Sequence, residues 1–187
     1  SFTYFGNTSS DIVVGVNGVA LFGVQTGGVT CQYGPLPTAD SPIIAPFWGD
    51  LDTVSTGSEV YYETLGTTPN QRFIVQWHKK NVYNGNDGED VTFQMALFET
   101  SNEIQFRYND VVFGGAAAAA DAGAGATVGI DSGDGSTAIM VSYNEAVLLD
   151  GLPISMDSNS TPASASDSAE STVILNIPEA SINPTDI

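Results

Sequence analysis

Apolar residues along most of this chain recur at every second position, and nowhere do they hold the 3.6-residue stripe of an amphipathic helix. That restricts the fold to sheets. Across Asp90–Glu99, Val91, Phe93, Met95 and Leu97 alternate with Thr92, Gln94 and Ala96, and across Arg72–His78 the residues Phe73, Val75 and Trp77 alternate likewise. Each strand therefore offers one face to a core and the other to water or a partner. The same reading predicts strands over Asp11–Val16, Val19–Val24, Ser58–Glu63, Glu103–Tyr108, Thr127–Asp131 and Thr137–Tyr143, separated by Gly, Pro, Asn and Asp. Asn17-Gly18 between two apolar runs predicts a two-residue type I′ turn, and Thr100-Ser101-Asn102 predicts a second hairpin. Neighbouring strands are thus expected to be antiparallel. Close spacing without intervening helices predicts an all-β, antiparallel two-sheet β-sandwich of jelly-roll or Greek-key type, with a closed barrel as the alternative. Gly114–Ala126 is Ala/Gly-rich, and its run of Ala is far shorter than the roughly 12 residues an isolated helix needs. It is expected to be a loop with at most one helical turn.

Composition decides what such a sheet protein can meet. With 22 acidic against 4 basic residues the formal charge is −18, and so few Lys and Arg cannot neutralise a phosphate backbone or an anionic lipid surface. Nucleic acid and acidic membranes are excluded as partners. Hydrophobic residues at 42% and aromatics at 10% are too many for a disordered acidic chain, and 187 residues suffice for one domain with an appended segment. No apolar run approaches the roughly 18 residues needed for a membrane-spanning helix. Cys31 is the single cysteine, so no internal disulfide, CxxC motif or thiolate cage exists. A chain opening on Ser1 is expected to be a mature or excised product. Its acidic excess suits a secreted protein, extracellular or at a cell surface, in a salty medium.

A composition break near Met156 divides the chain. Residues 1–156 carry the strand pattern; 157–170 are rich in Ser and Ala with no aromatic or large aliphatic residue in Asp157–Glu170, as in a flexible linker; and 171–187 hold one further strand pattern. In that last segment Val173, Leu175 and Ile177 alternate with Ile174 and Asn176 before Pro178 breaks the run. A lone apolar strand is marginal in water unless it joins a sheet edge. A linker of about 13 residues has an r.m.s. reach near 20 Å and a limit near 45 Å, so the strand can reach an edge of its own domain or of a neighbouring copy. Addition to the next copy is β-augmentation that does not close, and it predicts a homo-oligomer or homopolymer. The other reading is that Thr172 opens a further domain of a longer chain.

The segment Ile43-Ile44-Ala45-Pro46-Phe47-Trp48-Gly49-Asp50-Leu51-Asp52, followed by Gly57-Ser58-Glu59-Val60-Tyr61-Tyr62, resembles the signature of the nidogen-type extracellular domain (NIDO) and of similar bacterial surface modules. Phe73-Ile74-Val75-Gln76-Trp77, Val91–Phe98 and Ile104-Gln105-Phe106-Arg107-Tyr108 fit the same pattern in the same order, so the resemblance covers roughly Ser1 to Met156. What it implies is a non-catalytic β-rich module outside the cell, of the kind found in matrix, adhesion and cell-surface proteins and beside secreted hydrolases. It carries no catalytic residue to this chain, which lacks the flanking cysteine-rich modules.

Candidate chemistry is sparse. The single His, His78, stands beside Lys79-Lys80 with no Gly-x-Ser-x-Gly elbow, His-Glu-x-x-His motif or Cys/His pair, so no base has a nucleophile and an orienting group. No enzyme activity and no organic cofactor are expected. Calcium is the candidate ion, because a hard cation takes several oxygen ligands on turns. Asp50 and Asp52 lead, since carboxylates just after the apolar Pro46-Phe47-Trp48 need donors or a cation, and Asp131 and Asp134 form the second cluster. Backbone N–H donors are the alternative for both. Tyr4, Tyr33, Tyr61, Tyr62, Tyr83, Trp48 and Trp77 could supply a sugar-stacking ring. Tyr83, within the polar Asn81-Val82-Tyr83-Asn84-Gly85-Asn86, is the chosen ligand contact, whereas Trp77 is expected in the core. Two functions follow as expectations: a non-enzymatic extracellular structural or adhesive subunit assembling through its C-terminal strand, or a glycan- or matrix-binding accessory module of a secreted hydrolase or adhesin.

Overall fold

A computed structural model of the chain describes residues 1–25 and 32–159. Its strands are β1 (Phe2–Tyr4), β2 (Asn7–Ser9), β3 (Ile12–Gly15), β4 (Val19–Phe22), β5 (Ile43–Trp48), β6 (Leu51–Asp52), β7 (Glu59–Leu65), β8 (Arg72–Val82), β9 (Asp90–Phe98), β10 (Glu103–Asp110), β11 (Thr127–Asp131), β12 (Ala138–Tyr143) and β13 (Ile154–Asp157). One six-stranded sheet has the order β13-β10-β9-β8, with β6 and β7 sharing the far side of the long β8. The other has five strands in the order β12-β11-β5-β4-β3, and β1 with β2 forms a separate hairpin. Every pairing is antiparallel. The fold is therefore the expected all-β sandwich, and its two sheets share no strand, which excludes the closed barrel.

Alternation builds the main core. Val91, Phe93, Met95 and Leu97 of β9, Val75 and Trp77 of β8, and Ile104, Phe106 and Tyr108 of β10 face Ala20, Phe22, Ile44, Phe47, Val128 and Ile130 of the opposite sheet. Trp77 stacks on Phe93 and Phe93 on Phe47, each at 5.2 Å between centroids. These large rings bury apolar area between the sheets. Two core aromatics also reach across as donors: the Trp77 indole N–H to the Gly15 carbonyl and the Tyr108 hydroxyl to the Pro46 carbonyl, both at 2.8 Å.

Strand β5 was not among the expected strands, and its burial explains why. All six of its residues are buried, so it has no polar face to reveal a period of two. Ile44 and Phe47 enter the main core, while Ile43, Ala45 and Trp48 join a second cluster under Tyr33 and Leu36 of the β4–β5 loop. Pro46 is tolerated because the pairing of β5 with β11 is irregular there. The short β1, β2, β6 and β13 also lie outside the expected strands. The turn between β3 and β4 is corrected: Gly15 pairs with Val19, leaving a three-residue loop of Val16, Asn17 and Gly18 in place of a two-residue type I′ turn. The Ala-rich stretch contains a 3₁₀ segment, Gly115–Gly123, interrupted at Asp121 and Ala122.

Candidate functional site

The sheets differ in width, and the mismatch leaves a site open. β7 pairs with β8 through Val60↔Trp77, Tyr62↔Val75 and Thr64↔Phe73. Cross-strand partners share a face, so Val60, Tyr62 and Thr64 point the same way as the buried Trp77 and Val75, toward the other sheet. Yet Tyr62 is 77% exposed. Its ring lies 6.2 Å from that of Phe73, and among the described residues the five-stranded sheet opposite ends at β3. Within the described residues β3 pairs only with β4, so its outer edge keeps unpaired backbone donors and acceptors. At one end of the two edges, beside the β1–β2 hairpin, is a cleft of about 200 Å³ where Ile12, Phe22, Phe73 and Leu97 meet the polar Asp11, Gln71 and Glu99, with Thr64 of β7 at its side.

Hydrogen bonds fix the end of the sandwich nearest this cleft. Thr3 donates its N–H to the Asn102 side-chain oxygen at 2.8 Å, and the Asn159 amide donates to the Thr3 carbonyl at 3.1 Å. The Phe5 N–H reaches the Ser158 hydroxyl. Thus the β1–β2 hairpin ties the β9–β10 turn to the residues following β13.

The four acidic candidates fall into two separate places. Asp131 pairs with Ile43, at one end of β5, while Asp50 follows Trp48 at the other, about 15–20 Å away along the strand. Asp131 is buried, and its carboxylate accepts the Thr38 N–H, the Thr38 hydroxyl and the Gly133 N–H. It fastens the β4–β5 loop to β11. Asp134 accepts the N–H groups of Ser136 and Thr137 and both of their hydroxyls. These donors hold its carboxyl far below the usual 3.8. Asp52 accepts the Thr53 N–H and lies in the field of the buried Lys80, whose ammonium donates to the Ser58 hydroxyl at 3.1 Å. Burial lowers the Lys80 pKa, while the charges of Glu59 and Asp52 oppose that shift. Asp50 offers its carbonyl to the Tyr83 N–H at 2.8 Å. Among the described residues no three His, Cys, Asp or Glu side chains converge as a metal-binding group.

Of the aromatic candidates, Tyr61, Tyr62 and Tyr83 are exposed. Tyr83 stands on the β8–β9 turn, and Tyr61 lies on the outer face of β7 with its ring 6.2 Å from His78. Tyr4, Trp48 and Trp77 are buried and unavailable for stacking, because each completes a core. Val173, Leu175 and Ile177, with the 160–187 segment that contains them, lie outside the described residues, as does Cys31. Tyr62 was a stacking candidate by residue type alone; that it shares an inward face with Val60 and Phe73 follows from the register of β7 against β8, and Ile12 of β3 lines the cleft beside Phe73.

Among the described residues no helix is long and apolar enough to cross a membrane. No curated protein and no solved structure matches the chain. A family model described as NIDO related matches residues 1–177, past Met156 and through the last residue of the tail strand pattern. Over nearly its whole length, therefore, this β-sandwich belongs to the NIDO-related family.

Proposed function

We propose that the chain is a non-enzymatic, extracellular structural or adhesive subunit that lengthens head to tail by donating its C-terminal strand to a neighbouring copy. Domains of its family are typically extracellular and generally non-enzymatic. The observation that carries the reading is positional. β13, the last strand among the described residues, is one edge of the six-stranded sheet, while β7, whose Tyr62 is exposed, is at the other edge. Four strand spacings, about 19 Å, separate them. A subunit that donates at one side and accepts at the opposite side makes a heterologous contact that repeats without closing. The family match running through Ile177 supports a tail strand that belongs to the module.

Energetics permit it. Val173, Leu175 and Ile177 contribute roughly 1.5–3 kcal/mol each on full burial, with edge hydrogen bonds added, against at least about 4 kcal/mol for fixing a partner. The test is sedimentation velocity of the full chain beside Leu175→Asp. Wild type is expected as a distribution of oligomers and the variant as a folded monomer, since the charge would enter the acceptor and not the subunit's own core. Equal monomeric sizes would remove the assembly reading, and an unfolded variant would place the strand in its own sandwich. Exposed Tyr83 beside Asp50 keeps the glycan-binding alternative, for which a glycan array with Tyr83→Ala as control is the test.

A further inference from the structure

We infer that the acceptor is the outer edge of β3, and that the strand around Val173, Leu175 and Ile177 of a second copy becomes a sixth strand of the five-stranded sheet, lying over Val60, Tyr62 and Phe73. The inference rests on the assembly reading and adds where the strand goes. Each candidate edge has a different physical consequence. A strand added to β7 would widen the sheet that already overhangs, leaving Tyr62 uncovered and placing its own apolar side chains over nothing. Its neighbours on the outer face would be Glu59 and Glu63, charges of the kind that discourage edge pairing. A strand added to β3 satisfies an unpaired edge and covers the inward face of β7 in one step. Period-two geometry sends Val173, Leu175 and Ile177 to one face, and that face meets the half-buried Ile12, Val60 and Phe73 and the exposed Tyr62. Ile12 and Val14 of β3 already point into the main core and Val13 to the second cluster, so a neighbour in the same sheet continues an apolar inner face.

The chain itself supplies the occupant. Residues 160–187 follow the structure's last described residue and contain the period-two apolar run of Val173, Leu175 and Ile177. The cleft of about 200 Å³ beside Ile12 and Phe73 is small for a globular partner and has room for side chains of one strand.

Cross-linking between full-length single-cysteine proteins tests this, all carrying Cys31→Ser. Leu175→Cys protein is mixed with Tyr62→Cys, Tyr61→Cys or Met140→Cys protein and treated with a bis-maleimide whose spacer is about 10 Å, the separation of packed sheets. Tyr61 reports the outer face of β7 and Met140 the β12 edge. The expected result is cross-linked dimer with Tyr62→Cys at least about tenfold above either control. Preference for Met140→Cys or Tyr61→Cys overturns the β3 acceptor while leaving strand-mediated assembly in place. No cross-link in any mixture, with a wild type that sediments as a monomer, overturns the assembly reading itself; no cross-link with a wild type that sediments as oligomers overturns the β3 acceptor. A protein carrying both Leu175→Cys and Tyr62→Cys that cross-links only within one molecule overturns the second-copy assignment. As an independent reading, Tyr62→Ser should reduce oligomer size, and an unchanged size distribution counts against the site.

Discussion

Gly18 shows how a single residue can set the path of the chain. Its φ is +70°, and a Cβ built there would stand 1.9 Å from the Phe47 carbonyl oxygen, where β5 approaches the β3–β4 turn closely enough for the Phe47 N–H to donate to the Gly18 carbonyl at 3.2 Å. Backbone strain and this contact act together, so Gly18→Ala is expected to cost at least about 2–3 kcal/mol. A lower denaturant midpoint with an unchanged slope is the measurement. Asp134 acts by charge. Its donors hold its folded pKa far below 3.8, and a depressed carboxylate contributes stability that is complete above the unfolded value and is lost as pH falls toward the folded one. Melting temperatures between pH 4 and pH 2 should therefore fall more steeply for wild type than for Asp134→Asn; parallel curves would show that the turn is not stabilised by the charge.

At the scale of elements, irregular β5 is held by a partner in the opposite sheet. Tyr108 is buried, and its hydroxyl satisfies the Pro46 carbonyl where the ladder of β5 is interrupted. Tyr108→Phe keeps the ring and leaves that carbonyl unpaired in the core, an expected loss of about 1–3 kcal/mol. Burial raises the Tyr108 pKa well above 10, so this contribution is complete below the unfolded value and declines as pH rises past it. The stability gap between wild type and Tyr108→Phe should thus narrow above pH 10, as followed by chemical denaturation. The strands with one wet face, such as β8 and β9, were legible because polar residues interrupt their apolar ones. Strand β5 was not, since burial on both faces removes the alternation, and the bulge between Trp77 and Lys80 concealed that β8 continues to Val82.

For the whole molecule, charge opposes the proposed assembly. Each copy carries a formal −18, and all four Lys and Arg, namely Arg72, Lys79, Lys80 and Arg107, fall on β8 and β10. Like-charged subunits repel over a screening length of about 30 Å at 0.01 M salt and about 3 Å at 1 M. Oligomer size in sedimentation should consequently grow with NaCl across that range and shrink on dilution into low salt. The reverse trend would mean that ion pairs, and not strand burial, hold the contact.

By itself the sequence determined the class of fold, because a period of two admits no amphipathic helix, and it determined the repulsion from anionic partners through its charge. Only the tertiary structure decided that Asp131 and Asp134 take backbone and hydroxyl donors, since those donors come from turns and, in the case of Thr38, from a residue 93 positions away. It also decided that Tyr62, one of several tyrosines in the chain, lies on the inward face of β7 and is exposed there. That depends on where the narrower sheet ends, a consequence of strand pairing between distant segments that local periodicity does not encode.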